Sequence, residues 1–174
     1  MIGELLFNPN GRIARNRFWQ GLVILTVASI LVAAATTAVH EMVGLINYVL
    51  VFCYICVFGK RLHDSGRSAW WVLAIGGGTV VLQTVMTLIF LMLIWPGFMN
   101  EEQRQVWTEV LDLAQAGNSA EMTRGVQYLF EISMSTLQRA QMVITVITNA
   151  IFGYWIGTLR TVPGDNQYGP EPTG

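Results

Sequence analysis

Four stretches of this chain, residues 18–39, 42–59, 68–100 and 140–159, contain no Asp, Glu, Lys or Arg. An α-helix rises about 1.5 Å per residue, so about 20 residues cross a hydrocarbon layer roughly 30 Å thick, and each stretch is long enough to span it. The chain is 53% hydrophobic and only 12% charged, about half the charge of an ordinary soluble domain. The expected fold is therefore all-α: a single integral membrane domain, a bundle of four transmembrane helices at about 18–39, 42–59, 70–95 and 140–159. The second run is the shortest and by itself also fits a buried helix of a soluble protein, but its three companions favour a span. The first run follows Arg12, Arg15 and Arg17 and contains Ala33, Ala34 and Ala35, features a signal peptide shares. It is too long for the apolar region of one and is followed by three more spans.

The charges give the expected orientation. Ten Lys and Arg against eleven Asp and Glu leave a net charge of -1, so no overall field recruits nucleic acid, and the placement of the charges matters more. Seven of the ten basic residues flank one set of helix ends: Arg12, Arg15, Arg17, Lys60, Arg61, Arg67 and Arg160. By the positive-inside rule those ends, and both termini, are expected in the cytoplasm. Phe18, Trp19, Trp70, Trp71, Tyr154 and Trp155 fall at the same predicted ends and Trp95 at an opposite one, as interfacial aromatics do.

Spans one and two are joined by little more than His40 and Glu41, and so are adjacent and antiparallel. Spans three and four are separated by an insert, 96–139. Val106, Trp107, Val110, Leu111 and Ala114 recur on one face of a helix, Gly117 and Asn118 interrupt it, and Met122, Val126, Leu129, Phe130 and Leu137 form a second pattern that Asn118 or Ser119 can cap. The insert is expected to be an extracytoplasmic helical hairpin, its second helix continuous with span four. The segment 160–174 is rich in Pro and Gly and reads as a cytoplasmic tail without a core of its own.

Three segments carry a family resemblance. The chain opens with Leu6-Phe7 and Gly11-Arg12-Ile13-Ala14-Arg15-Asn16-Arg17-Phe18-Trp19, reads Arg61-Leu62-His63-Asp64-Ser65-Gly66-Arg67-Ser68-Ala69-Trp70-Trp71 after span two, and closes with Pro163-Gly164-Asp165-Asn166-Gln167-Tyr168-Gly169-Pro170. In this order the segments resemble the domain of unknown function 805 family of small bacterial inner-membrane proteins. The chain departs from that pattern at Ala69, where glycine is common, and in the length of its insert. The resemblance implies a helical bundle in the bacterial inner membrane and supplies no reaction.

Arg12, Arg15, Arg61, His63, Asp64 and Arg67 are the candidate ligand-binding residues. They combine guanidiniums suited to forked recognition of an anion with an imidazole and a carboxylate at the membrane interface. The plainer reading makes the basic residues topological signals and Asp64 a cap for the helix entering span three. Catalytic residues are not expected, since neighbouring His63 and Asp64 point about 100° apart on a helix and no nucleophile accompanies them. Nor is a metal: His40 and His63 are assigned to opposite ends of the membrane, and Cys53 and Cys56 share a helical face without further ligands. No cofactor is expected. Polarity inside the spans is limited to groups such as Asn47, Gln83 and Asn149, which argues against ion-coupled transport. The glycines at 76, 77 and 78 invite a break in span three, and Gly153 with Gly157 forms a GxxxG pair, though close helix packing accounts for both. The expected function is a noncatalytic membrane bundle whose basic cytoplasmic face binds anionic lipid headgroups or a protein partner, itself or another membrane protein. A small oligomeric channel or exporter is the alternative, and a lipid-acting enzyme a third.

Overall fold

The computed structural model describes residues 2–172, so 173 and 174 of the expected tail lie outside the described residues. The regular structure is all helical, with no strand among the described residues. Its elements are α1 (Ile2–Phe7), α2 (Arg15–Ala38), a 3-10 turn (Glu41–Leu45), α3 (Ile46–Asp64), α4 (Trp71–Ile89), a π-helical turn (Phe90–Ile94), α5 (Trp95–Phe98), α6 (Glu101–Gln115) and α7 (Ser119–Gly157). Four stretches, Arg15–Thr36, Met42–Asp64, Trp71–Phe98 and Ser119–Gly157, are long and apolar enough to cross a membrane. Helices suit that role because each satisfies its own backbone hydrogen bonds where water is absent. The chain forms two compact units, one running to Gln83 and resuming at Thr145, the other Thr84–Ile144.

In the first unit α2 and α3 pack as antiparallel neighbours, turned by His40, whose Nδ1 accepts from Met42 N at 3.1 Å. Phe18, Leu22 and Leu25 of α2 meet Cys53, Val57, Phe58 and Leu62 of α3, with Ile156 of α7 and Ile75 of α4 completing the core. Small residues permit the close approach. A Cβ on Gly153 would stand 2.2 Å from Leu22 Cδ2, and one on Gly157 would stand 2.7 Å from Trp19 Cζ2. The GxxxG pair is thus a packing surface for α2.

One boundary differs from the sequence expectation. Span two does not stop at 59: α3 continues through Asp64, because the charges of its last turn are paired inside the protein. The glycine triplet does not interrupt α4, which is helical through all three positions. A Cβ at Gly78 would meet Phe152 at 3.0 Å, while Gly76 and Gly77 face open space. The departure from α geometry comes later, at the π-turn of Phe90–Ile94, followed by buried Trp95 and by a proline in the first turn of α5.

The second unit holds α6 and the first part of α7. Asn100 and Gln103 form a reciprocal capping box at the start of α6. Gly117, at φ 73°, ends it in the left-handed conformation glycine adopts without steric cost. The Asn118 side chain then accepts from Glu121 N, and α7 runs unbroken for 39 residues. Contacts from Gln103 to Ser133, Glu102 to Tyr128 and Val110 to Gly125 show that α6 runs antiparallel to α7. The apolar stripe expected on α6 is rotated. Gln103 and Val110 are buried, whereas Trp107 and Leu111 are 39% and 43% exposed. The facing helix covers only a narrow strip, and the Gln103 amide, reaching Ser133 Oγ at 3.0 Å, fixes which strip that is.

Candidate functional site

The last turn of α3 places Lys60 and Arg61 four and three residues before Asp64, within reach of its face, and all three are buried. A carboxylate at a helix C-terminus faces the negative end of the helix dipole, so Asp64 requires cations. It has two. Oδ1 accepts from Arg12 Nε at 3.3 Å and Nη2 at 3.1 Å; Oδ2 accepts from Arg61 Nη1 and from Thr161 Oγ1, the latter at 2.7 Å. Both carboxylate oxygens are therefore committed, which leaves Asp64 unsuited to work as a general base.

The arginines reach further. Arg12 Nη1 donates to Gly164 O at 2.7 Å and Gly169 O at 3.3 Å, and Nη2 to Val162 O at 2.6 Å, so all five of its N–H groups are engaged. Arg61 Nη2 donates to Gly157 O at 3.1 Å and to Leu159 O, oxygens at the end of α7 that the helix itself leaves without donors. Of the two guanidiniums, Arg61 leaves its Nε buried without a hydrogen-bond partner among the described residues. Three parts of the chain, at Arg12, Arg61 and Thr161, converge on one carboxylate.

His63 completes the clasp from a position about 100° around the helix from Asp64. Its ring stacks on Tyr168 at 3.9 Å, with an interplanar angle of 6°, and its Nδ1 lies 3.1 Å from Gly11 O. The backbone around it is also occupied: Asn166 Nδ2 donates to His63 O, and Val162 N to Asp64 O. The segment 161–169 is thus held against the end of α3. After Asp64 the helix stops in a Schellman turn, Arg67 N bonding Leu62 O and Gly66 N bonding His63 O, with Gly66 at φ 73°. Asp64 therefore belongs to the end of α3 and does not cap α4.

Of the six expected residues, Arg12, Arg61, His63 and Asp64 are brought together. Arg15 and Arg67 are exposed beside them, as are Arg17 and Arg160. Sequence reasoning missed Lys60 as anything beyond a topological charge. Lys60 is 3% exposed, and its ammonium donates to Glu4 O at 2.6 Å and Leu5 O at 2.7 Å, docking α1 by capping its last carbonyls. The apolar run Leu5-Leu6-Phe7, whose Leu5 joins the core, was the available signal. Deeper in the same unit, Asn149 Nδ2 donates to Thr26 Oγ1 at 3.0 Å and Tyr54 OH at 2.8 Å, and Tyr54 OH also meets Ser29 Oγ at 3.4 Å. Among the described residues, no group of three or more His, Cys, Asp or Glu is arranged to hold a metal, and both cysteines are free thiols.

The family described as "Protein of unknown function (DUF805)" matches residues 6–170, a stretch that includes every residue of the clasp. No curated protein and no solved structure matches the chain.

Proposed function

The chain belongs to the DUF805 family, whose description assigns no reaction, and from its own geometry we propose that it is a noncatalytic protein of the bacterial inner membrane that presents a basic cytoplasmic face to anionic lipid headgroups. One observation carries this reading. The buried Arg12–Asp64–Arg61 cluster closes one end of the bundle and leaves Arg15, Arg67 and Arg160 exposed around it. The interior arginines fix the shape of the face, and the exposed ones meet lipid. Basic residues near an anionic leaflet contribute about 1 kcal/mol each, and the positive-inside rule puts this end in the cytoplasm with both termini. The α6 helix and the start of α7 then form an extracytoplasmic hairpin whose exposed Trp107, Leu111 and Phe130 meet the outer membrane surface or a protein partner. The Asn149, Thr26 and Tyr54 side chains are spent on one another, which supports a packed bundle over an oligomeric channel.

Reporter fusions test the topology: activity on the cytoplasmic side for a fusion after the tail, and on the opposite side for one near Gly117. An inside signal near Gly117 sinks it. The lipid role is tested by purifying the protein with its bound lipid, where phosphatidylglycerol should be enriched over phosphatidylethanolamine and the enrichment lost in the Arg15→Gln, Arg67→Gln double variant. Solute flux in liposomes would favour the channel instead.

A further inference from the structure

The clasp uses up Arg12 and Arg61 but not the space beside them. A cavity of about 240 Å³ opens between α1 and the start of α2, lined by Arg12, Arg17, Lys60, Asn8, Asn10 and Glu4 among others. A water molecule's share of the liquid is about 30 Å³, so there is room for the five heavy atoms of a phosphate group. We propose that this cavity binds a phosphate group, either the headgroup phosphate of an anionic lipid or free phosphate. The proposal rests on the cytoplasmic-face reading only for the lipid source.

Charge and unspent donors both point to an anion. Arg12 and Arg61 share a single carboxylate, leaving one positive charge behind the wall; Lys60 and Arg17 add two, and Glu4 offsets one. Lys60 has three N–H groups, of which two go to the Glu4 and Leu5 carbonyls. The third belongs to an ammonium almost wholly removed from water, the setting in which a charge-assisted partner matters most. Arg17 donates only from Nη1 to Gln20 Oε1, at 3.3 Å, and the rest of its fork is open. The Asn8 side chain accepts from Asn10 N with its Oδ1, leaving its amide N–H groups to donate. A guanidinium fork, a point-charge ammonium and amide donors on different walls suit a tetrahedral oxyanion better than a planar carboxylate. Ile2 and Phe7 of α1, 61% and 55% exposed, supply the apolar neighbours a lipid chain requires.

The test uses the full chain in neutral detergent, titrated with dioctanoyl phosphatidylglycerol and, separately, with inorganic phosphate. Arg17→Gln should weaken binding at least tenfold without moving the ligand-free melting temperature, and Asn8→Ala should weaken it severalfold. Arg124→Gln, exposed in the second unit and outside the cavity, should change it less than twofold. Lys60→Met also undocks α1, so the exposed Arg17 variant is the deciding one. If millimolar phosphate displaces the lipid and binds alone, the source is free phosphate; if only the lipid binds, it is the headgroup. Equal losses in Arg17→Gln and Arg124→Gln, or none in either, overturn the cavity. Lipid enrichment that survives Arg17→Gln but falls with Arg67→Gln upholds the basic rim and removes the cavity. Absence of lipid enrichment, with phosphate binding lost in Arg17→Gln, does the reverse.

Discussion

The clasp at the end of α3 and the contact between α6 and α7 solve the same problem, holding helices together with polar groups, in opposite ways. In the clasp, hydrogen bonds join residues 52 to 157 positions apart, and one buried carboxylate ties together two buried guanidiniums. Between α6 and α7 the bonds span about 30 positions and involve neutral groups, Gln103 with Ser133 at 3.0 Å, or one exposed pair, Tyr128 with Glu102 at 2.9 Å. The difference is one of consequence. Removing one member of a buried charged network strands the others, whereas removing one neutral hydrogen bond costs little more than itself.

The largest expected effect comes from Asp64→Ala. It leaves Arg12 and Arg61 buried without a counter-charge, a loss of about 3–5 kcal/mol, and frees the 161–169 segment. Unfolding in mixed micelles should shift accordingly, and limited proteolysis should cut the tail of the variant while sparing the parent. An unchanged cleavage pattern would show that the tail is held by something other than the clasp.

Gly153→Ala should come next. The new Cβ falls 2.2 Å from Leu22 Cδ2, and overpacking of this kind costs about 1–3 kcal/mol. Gly76→Ala, facing open space, is the control and should be neutral or slightly stabilising, since alanine is the better helix former. Equal effects at the two glycines would remove the α2–α7 packing argument.

Ser133→Ala should cost about 1 kcal/mol, because Gln103 Nε2 retains Ile132 O as an acceptor at 3.3 Å. Faster hydrogen exchange should be confined to α6 and the facing part of α7. Exchange that rises in α3 as well would contradict the local character assigned to this contact.

The smallest effect tests the rotated face of α6. Single cysteines at Trp107 and Leu111 should react readily with a water-soluble maleimide in detergent, and one at Val110, 5% exposed, should react slowly, with little change in stability. Reversal of that order would restore the stripe expected from hydrophobicity alone.

The four spans, the antiparallel turn at His40 and the capping at Asn118 were legible in the sequence. Run length and capping chemistry are local, and the helical register of 140–159 passes into the insert without a breaker. The end of α3 was not legible. Residues 60–64 look like a solvated, charged loop until Arg12, Thr161 and the carbonyls at 157 and 159 are placed around them. Gln103 was hidden for the same reason, since a glutamine scores as polar surface unless Ser133 is known to face it. His63 was legible as unusual but not as a ring stacked on Tyr168, 105 positions away.

The sequence by itself therefore determined that this is a helical protein with four segments able to cross a membrane, because apolar length adds up along the chain and needs no partner. Only the tertiary structure decided which charges are buried and which are free. The cost of desolvating a charge is repaid by a partner whose position depends on the whole fold, so Arg12 and Arg61 became interior clasps while Arg15 and Arg67, of the same residue type and in the same two motifs, stayed at the surface.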